Sequence, residues 1–477
     1  MGFLLFEIRL PRAGKDADME WIESINGYIN DFVWGVPCII LIMAVGIITT
    51  VRLKGIQFRN WGFMVKQTYV KAFTKKDEGG DGDISSFQAA MVSVSAVVGS
   101  GNIAGVATAI VLGGPGALFW MLVAALVGCA TKFAEIALGI KYRKKMADGS
   151  WAGGPMYYLS EGLHQKWLGT LFAIFMIFAG FMISAVVDTN TMAAALNEQF
   201  GINPMIAGVV FMILTGIVII GGITRIGEVC GLLSPFMAGA YLLCGLLVII
   251  LNITKLPMAI VQIISLAFNP KAAGGGLAGA TVLMVMRYGF ARGIFSNEAG
   301  IGTAAITHAS ARVSSPAEQA IWGPLEVFVD TFIVCTISGL AVIMSGLWDT
   351  GLDGAALTMR AFDTLLPGHF GSFVVLGAEI LFGFSCLISW YNYVEKAGDY
   401  LWGTKAKNAL KVLWLVFIIV GSYTTLGLAW DLADTANGLM IIPNAIGVIL
   451  LGKEVVKMKE EFYAAELPKY EAEKRAK

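Results

Sequence analysis

Val98-Gly99-Ser100-Gly101-Asn102-Ile103-Ala104-Gly105-Val106-Ala107-Thr108-Ala109 lies inside an apolar run covering residues 86–112. Gly99 and Gly101 hold a helix poorly, and the Asn102 side chain competes for backbone hydrogen bonds. A second stretch, Ser296-Asn297-Glu298-Ala299-Gly300-Ile301-Gly302-Thr303-Ala304, lies in the apolar run 278–303. Aligned on Asn102 and Asn297, both read Asn-x-Ala-Gly-[Val/Ile]-[Ala/Gly]-Thr-Ala. Gly101-x-x-x-Gly105 taken alone also suits a helix-packing face. The Gly99-x-Gly101-x-x-x-Gly105 spacing is wrong for a dinucleotide-binding loop, which in addition follows a strand.

Eleven apolar runs are long enough to cross a hydrocarbon core: 33–52, 86–112, 116–140, 168–196, 204–223, 231–252, 278–303, 319–346, 371–395, 408–426 and 430–452. The first is an extra N-terminal span; the others are core spans one to ten. Lys and Arg test this division independently. With the segments before core spans one, three, five, seven and nine and the C-terminal tail on one side, that side carries 25 of the 34 basic residues and the other carries 6. The remaining three, Lys132, Arg287 and Arg292, fall within spans. The positive-inside rule then places the N-terminus outside and the C-terminus in the cytoplasm of an inner or plasma membrane.

Composition agrees. Of 477 residues 57% are hydrophobic and 14% charged, with a mean hydropathy of +0.72; soluble proteins carry about 25% charged residues. The expected fold is an all-α membrane protein solvated by lipid. A formal net charge of zero leaves no basic footprint for nucleic acid. The six cysteines lie in or beside apolar segments without zinc-site spacing and read as free thiols. The expected layout is an extracytoplasmic segment 1–32, the extra span 33–52, five-helix sets at 86–252 and 278–452, and a cytoplasmic tail 453–477. Met19-Glu20-Trp21 reads as a natural start, so residues 1–18 are expected to be non-native.

Core spans one and six start from opposite sides, and each opens a five-helix set. Gly-interrupted helices in matching positions of an inverted repeat point to a binding site at the membrane midplane. Unwound backbone survives in a membrane only where it lines protein or a wet cavity. Each break exposes N–H groups suited to a carboxylate and carbonyls suited to a cation.

At these residues the chain resembles the alanine-or-glycine:cation symporter family. The resemblance runs through Gly99–Leu112 with Gly113-Gly114-Pro115-Gly116, Gly153-Gly154-Pro155-Met156-Tyr157-Tyr158, Arg287–Gly302, Asp330–Thr336 and Trp390–Glu395. It implies a leucine-transporter-like fold, two inverted five-helix repeats plus the N-terminal helix, and Na⁺-driven import of alanine or glycine, with D-alanine a further candidate. Carried over by position, it places the substrate carboxylate at Gly99, Ser100, Gly101 and Asn102, with Phe295, Ser296 and Asn297 as the opposite wall. Trp390 becomes a lid limiting side-chain size. The sodium site would draw on carbonyls near Ser95 and Val98 and on Ser385 and Cys386. No organic cofactor is implied, and the expected state is a monomer in membrane lipid, with the amino acid and Na⁺ as its partners.

Two residues depart from the family pattern: Asp188 replaces a Gln, and Cys386 replaces a hydroxyl residue. A soft thiol is a poor Na⁺ ligand. An acid within an apolar helix is costly and functional by default. Asp188 could attract the substrate ammonium, bind Na⁺ or carry a proton; a salt bridge to Arg287 or Arg292, or a misplaced span edge, are plainer readings. Lys132 and Glu135 are spaced to pair along one helix face, and Arg292 and Glu298 flank the sixth-span break. Glu326 and Asp330, four residues apart, need a partner, a proton or a cation. Glu379 has no assigned role. Proton coupling through Asp188 is the alternative to Na⁺. An intramembrane enzyme fits poorly, since none of His164, His308 and His369 is centred in a span, and a channel is the remaining class.

Overall fold

The computed structural model describes residues 17–74, 79–270, 281–368, 370–424 and 426–476. Residues 1–16, Lys75, Lys76, Lys271, residues 278–280 of core span six, His369 and residue 425 of span nine lie outside the described residues. The fold is helical, with only two short two-stranded pairings among the described residues. Among the described residues, eight helices are long and apolar enough to cross a membrane: Glu23–Arg52, Gly116–Lys141, Lys166–Phe200, Gly222–Leu251, Pro316–Ser345, Phe370–Trp402, Thr404–Tyr423 and Trp430–Leu450. Shorter apolar helices, Ser86–Val97, Ala104–Gly113, Pro204–Ile219 and Leu256–Phe268, lie between them.

Core span one is broken where its glycines suggest. Ser85 caps Ser86–Val97 reciprocally: its hydroxyl accepts from the Gln88 N–H at 3.1 Å while its own N–H donates to Gln88 Oε1 at 3.0 Å. The helix stops at Val97, Gly99 is extended (φ −133°, ψ −156°), and a single 3₁₀ turn, Ser100–Asn102, leads into Ala104–Gly113. Asn102 Oδ1 accepts the Gly99 N–H at 2.9 Å, the competition expected of an Asn inside an apolar run.

Core span six breaks differently. Helix Val282–Asn297 ends with Glu298 left-handed (φ 56°), Gly300 and Gly302 also have positive φ (103° and 87°), and helix resumes at Ala304–His308. A side chain is strained at such angles, which is why glycine recurs there. The strand Ala311–Arg312 beyond this break pairs in parallel with Ile84–Ser85 before the first, tying the two broken elements together.

Several helices lie in regions expected to be loop, terminal segment or tail, Ala17–Val33 among them. Leu256–Phe268 and Gly354–Leu365 fall below the length of a crossing segment, at 13 and 12 residues. Gly452–Arg475 turns the tail into a 24-residue helix. It packs Phe462, Tyr463 and Tyr470 on Phe63, and Glu454 accepts from Lys141 and Tyr142, each at 2.6 Å.

Glycine permits the close approach between core spans two and six. A Cβ on Gly289 would lie 2.6 Å from both Ala117 O and Trp120 Cβ. Gly289→Leu should therefore cost about 1–3 kcal/mol by overpacking and lower the thermal midpoint in detergent. Gly239→Ala, which meets nothing within 4 Å, should not lower it.

Candidate functional site

The first break leaves the last carbonyls of Ser86–Val97 without helical partners, and helix Phe370–Trp402 supplies three donors to them. Ser385 Oγ donates to Ser95 O at 3.2 Å, Cys386 Sγ to Ala96 O at 3.1 Å and Trp390 Nε1 to the same oxygen at 3.2 Å. Cys386 and Trp390 are one helical turn apart, so one face reaches both. The Ser95 hydroxyl bonds that of Ser234. The structure thus gathers Ser95, Ser385, Cys386 and Trp390. The carbonyl that meets Cys386 is Ala96's, whereas Val98 still donates its N–H to Val94 O at 2.8 Å.

Across the break stands Asp188. It closes a π-helical segment, Phe181–Asp188, within Lys166–Phe200. Such bulges recur at functional positions because they turn a side chain out of helical register. Ser100 Oγ donates to Asp188 Oδ1, and Asp188 Oδ2 has no hydrogen-bond partner among the described residues. A Cβ on Gly99 would run into Cys386 Sγ and lie 3.9 Å from Asp188 Oδ1. Gly99, Ser100, Asp188 and Cys386 therefore converge on one point.

The plainer readings of Asp188 fail. Arg287 pairs with Asp31 at 2.8 Å and Arg292 with Asp434 at 2.6 Å. Asp188 is also only 2% exposed and lies well within its helix.

Gly101, Asn102 and the second break form an adjoining cluster around Asp330. Asn102 Nδ2 donates to Asp330 Oδ1 at 2.6 Å, and Ser296 Oγ donates to both carboxylate oxygens at 3.0 Å. Thr331 Oγ1 adds a bond at 2.7 Å, and Cys335 Sγ lies 3.2 Å from Ser296 Oγ. Asp330 too lies in a π-helical segment, Phe328–Cys335. Asn297 Nδ2 donates to Thr331 Oγ1 at 3.1 Å. Asn102 and Asn297 are thus committed to holding the breaks.

A Cβ on Gly101 would sit 3.1 Å from the Phe295 ring, whose centroid is 5.1 Å from that of Trp430. Arg292 packs its guanidinium 4.6 Å over the same Trp430. Arg292 and Trp430 also line a cavity of ≈ 550 Å³ with Thr108, Thr191, Glu198 and Asp431.

The other intramembrane charges overturn one expectation. Lys132 does not pair with Glu135; it lies 3.3 Å from Glu326, while Glu135 accepts from the Gly300 N–H at 3.0 Å and Asn444 Nδ2 at 2.5 Å. Arg292 and Glu298, which flank the sixth-span break, take separate partners: Arg292 pairs with Asp434, and Glu298 accepts from Thr303 and Tyr393. Glu326 and Asp330 take separate partners. Neither oxygen of fully buried Glu379 has a hydrogen-bond partner among the described residues.

Sequence reasoning missed Ala96, Thr331 and Cys335. The first is a backbone contributor with no side-chain signal. The other two become legible only once Asp330 is known to face both breaks.

Residues 19–476 match the sodium:alanine symporter family. The chain is 42% identical over 452 residues to the sodium/alanine symporter AgcS of Methanococcus maripaludis, covering 93% of this chain and 98% of that one. It is 37% identical over 445 residues to the amino-acid carrier protein AlsT of Bacillus subtilis, covering 93% and 92%. Among solved structures, MhsT in complex with L-phenylalanine aligns with a TM-score of 0.60 at 16% identity, over 80% of this chain and 93% of that one; at this identity the likeness speaks to fold alone. The chain belongs to the sodium:alanine symporter family and is a multi-pass membrane transporter.

Proposed function

We propose that this member of the sodium:alanine symporter family imports a small neutral amino acid, alanine or glycine with D-alanine a further candidate, together with Na⁺. Eleven spans, arranged as two inverted five-helix repeats plus the N-terminal helix, would alternate access around the two breaks, with the N-terminus outside, the C-terminus cytoplasmic and the protein a monomer. The observation that carries this reading is the first break. One interruption presents helix-end carbonyls to the Ser385 and Cys386 side chains on one side and the Ser100–Asp188 pair on the other. A cation and a zwitterion can be held there side by side.

In this reading Na⁺ is held by Ser95 O, Ala96 O and the Ser385 and Cys386 side chains, replacing the hydrogen bonds that Ser385, Cys386 and Trp390 make to those carbonyls, with Val98 at its edge. Gly99, Ser100, Gly101 and Asn102 seat the substrate carboxylate, and Asp188 attracts the ammonium. Phe295, Ser296 and Asn297 form the opposite wall, and Trp390 limits the side chain. The cavity lined by Arg292 and Trp430 serves as the outer vestibule. A buried polar network supports concerted movement of core spans one, two, six and seven. Ser93 and Asn102 of span one, Lys132 of span two, Ser296 and Asn297 of span six, and Glu326 and Asp330 of span seven all belong to it. Na⁺ must favour the substrate-competent state for the fluxes to be coupled.

Proteoliposomes with an inward Na⁺ gradient should concentrate alanine or glycine. Uptake that persists unchanged when choline replaces Na⁺, with no pH gradient, contradicts Na⁺ coupling. Cys386→Ser restores a hard oxygen donor and should lower the Na⁺ concentration for half-maximal uptake by roughly 3- to 10-fold; an unchanged value removes Cys386 from the ion site. Asp188 Oδ2, without a hydrogen-bond partner among the described residues, favours one second reading, proton coupling through this carboxyl. A single cysteine introduced at Lys457 should react with an impermeant maleimide only from the cytoplasmic face, and labelling from outside reverses the orientation.

A further inference from the structure

The carbonyl ends of the two half-helices are treated differently. At the first, Ser95 O and Ala96 O meet a hydroxyl, a thiol and an indole N–H, all neutral. At the second, the carbonyl of Asn297, the last residue of Val282–Asn297, receives an ammonium: Lys132 Nζ donates to it at 2.9 Å. The Lys132 and Glu326 side chains are both 0% exposed, with Nζ and Oε2 3.3 Å apart. Glu326 also accepts from Ser93 Oγ at 2.8 Å and lies 2.8 Å from His308 Nε2. A helix C-terminus concentrates negative partial charge, and a cation in its last turn is stabilised there. A buried ion pair is weak grounds for stability, since apolar residues of similar volume often serve as well or better.

We propose that Lys132 is a tethered cation holding the carbonyl end of the broken sixth span, so that it positions the Ser296–Asn297 wall and confines exchangeable Na⁺ to the first break. The proposal rests on the symport reading. It makes Lys132 a positioning residue, acting on substrate through Asn297, and predicts one Na⁺ carried per amino acid.

The test compares wild type with Lys132→Arg and with the paired variant Lys132→Met/Glu326→Gln, which removes both members of the ion pair together so that neither is stranded without the other. Each is reconstituted, and alanine uptake is measured against alanine and against Na⁺. The wild type should show a Na⁺ Hill coefficient near one, and Lys132→Arg should keep the alanine KM within about threefold. The paired variant should raise that KM by ~10-fold or more, with a Na⁺ Hill coefficient moving towards two as a mobile ion takes the place of the ammonium. A folded paired variant with wild-type KM and Na⁺ curve overturns the proposal. So does a flux ratio of two Na⁺ per alanine in the wild type, which needs no variant. Were the wild type to take up alanine without Na⁺, the symport reading would fall, and the paired variant's alanine KM would still judge Lys132.

Discussion

Asp188→Asn is expected to lower kcat/KM for Na⁺-driven alanine uptake by ~100-fold, about 3 kcal/mol, the cost of removing one partner from a desolvated charge pair. The substitution is nearly isosteric. Asn can still accept from Ser100 through its amide oxygen, so the contact seen at Asp188 Oδ1 is retained in form. What it loses is charge, at a position where Oδ2 has no hydrogen-bond partner among the described residues and where Arg287 and Arg292 are paired instead with Asp31 and Asp434. Uptake should be compared at matched protein density, in acidic and in alkaline buffer. A variant that keeps wild-type Na⁺-driven uptake in both would show that the carboxylate serves neither the ammonium nor a coupled proton.

Gly99→Ala should reduce uptake by ~50-fold while leaving the protein in the membrane. The backbone at residue 99 is extended, so alanine meets no conformational penalty there. The penalty comes from space: the new Cβ runs into Cys386 Sγ beside Asp188. Overpacking of this kind costs about 1–3 kcal/mol, and here the shift displaces the groups proposed to hold the ion. Cys386→Ala in the same chain removes the obstructing sulfur and should recover a measurable part of the loss. Wild-type uptake by the single variant would mean that Gly99 and Cys386 need not approach during transport. No recovery in the double variant would place the defect in the backbone instead.

The two breaks were legible because their cause is local. Gly99, Gly101 and Asn102 disturb helix through their own conformational freedom and hydrogen bonding, and the structure interrupts the span at those residues. What the Asn side chains do next was not legible. Asn102 donates to Asp330, 228 residues away, and Ser100 to Asp188, 88 residues away; nothing in chain spacing ranks those partners above others. Lys132 and Glu135 show the opposite error. Their i,i+3 spacing favours pairing on an isolated helix, yet the exposed backbone of the sixth-span break draws both away, Lys132 to the Asn297 carbonyl and Glu135 to the Gly300 N–H. Helices Leu256–Phe268 and Gly354–Leu365 were not legible from crossing length because, at 13 and 12 residues, they are too short to span. Both central acids lie in π-helical segments, at Val187-Asp188-Thr189 and Val329-Asp330-Thr331. That register shift has no signature in apolar periodicity.

The central claim is that Na⁺ and the amino acid meet at one break, and reciprocal binding tests it most directly. Alanine should be titrated into purified protein with Na⁺ and with choline, and Na⁺ titrated with and without alanine. Linkage requires each ligand to strengthen the other by the same factor, and adjacent seats at Ser95–Asn102 predict a factor of at least ~10, about 1.4 kcal/mol. Equal alanine affinity in Na⁺ and in choline would contradict the account.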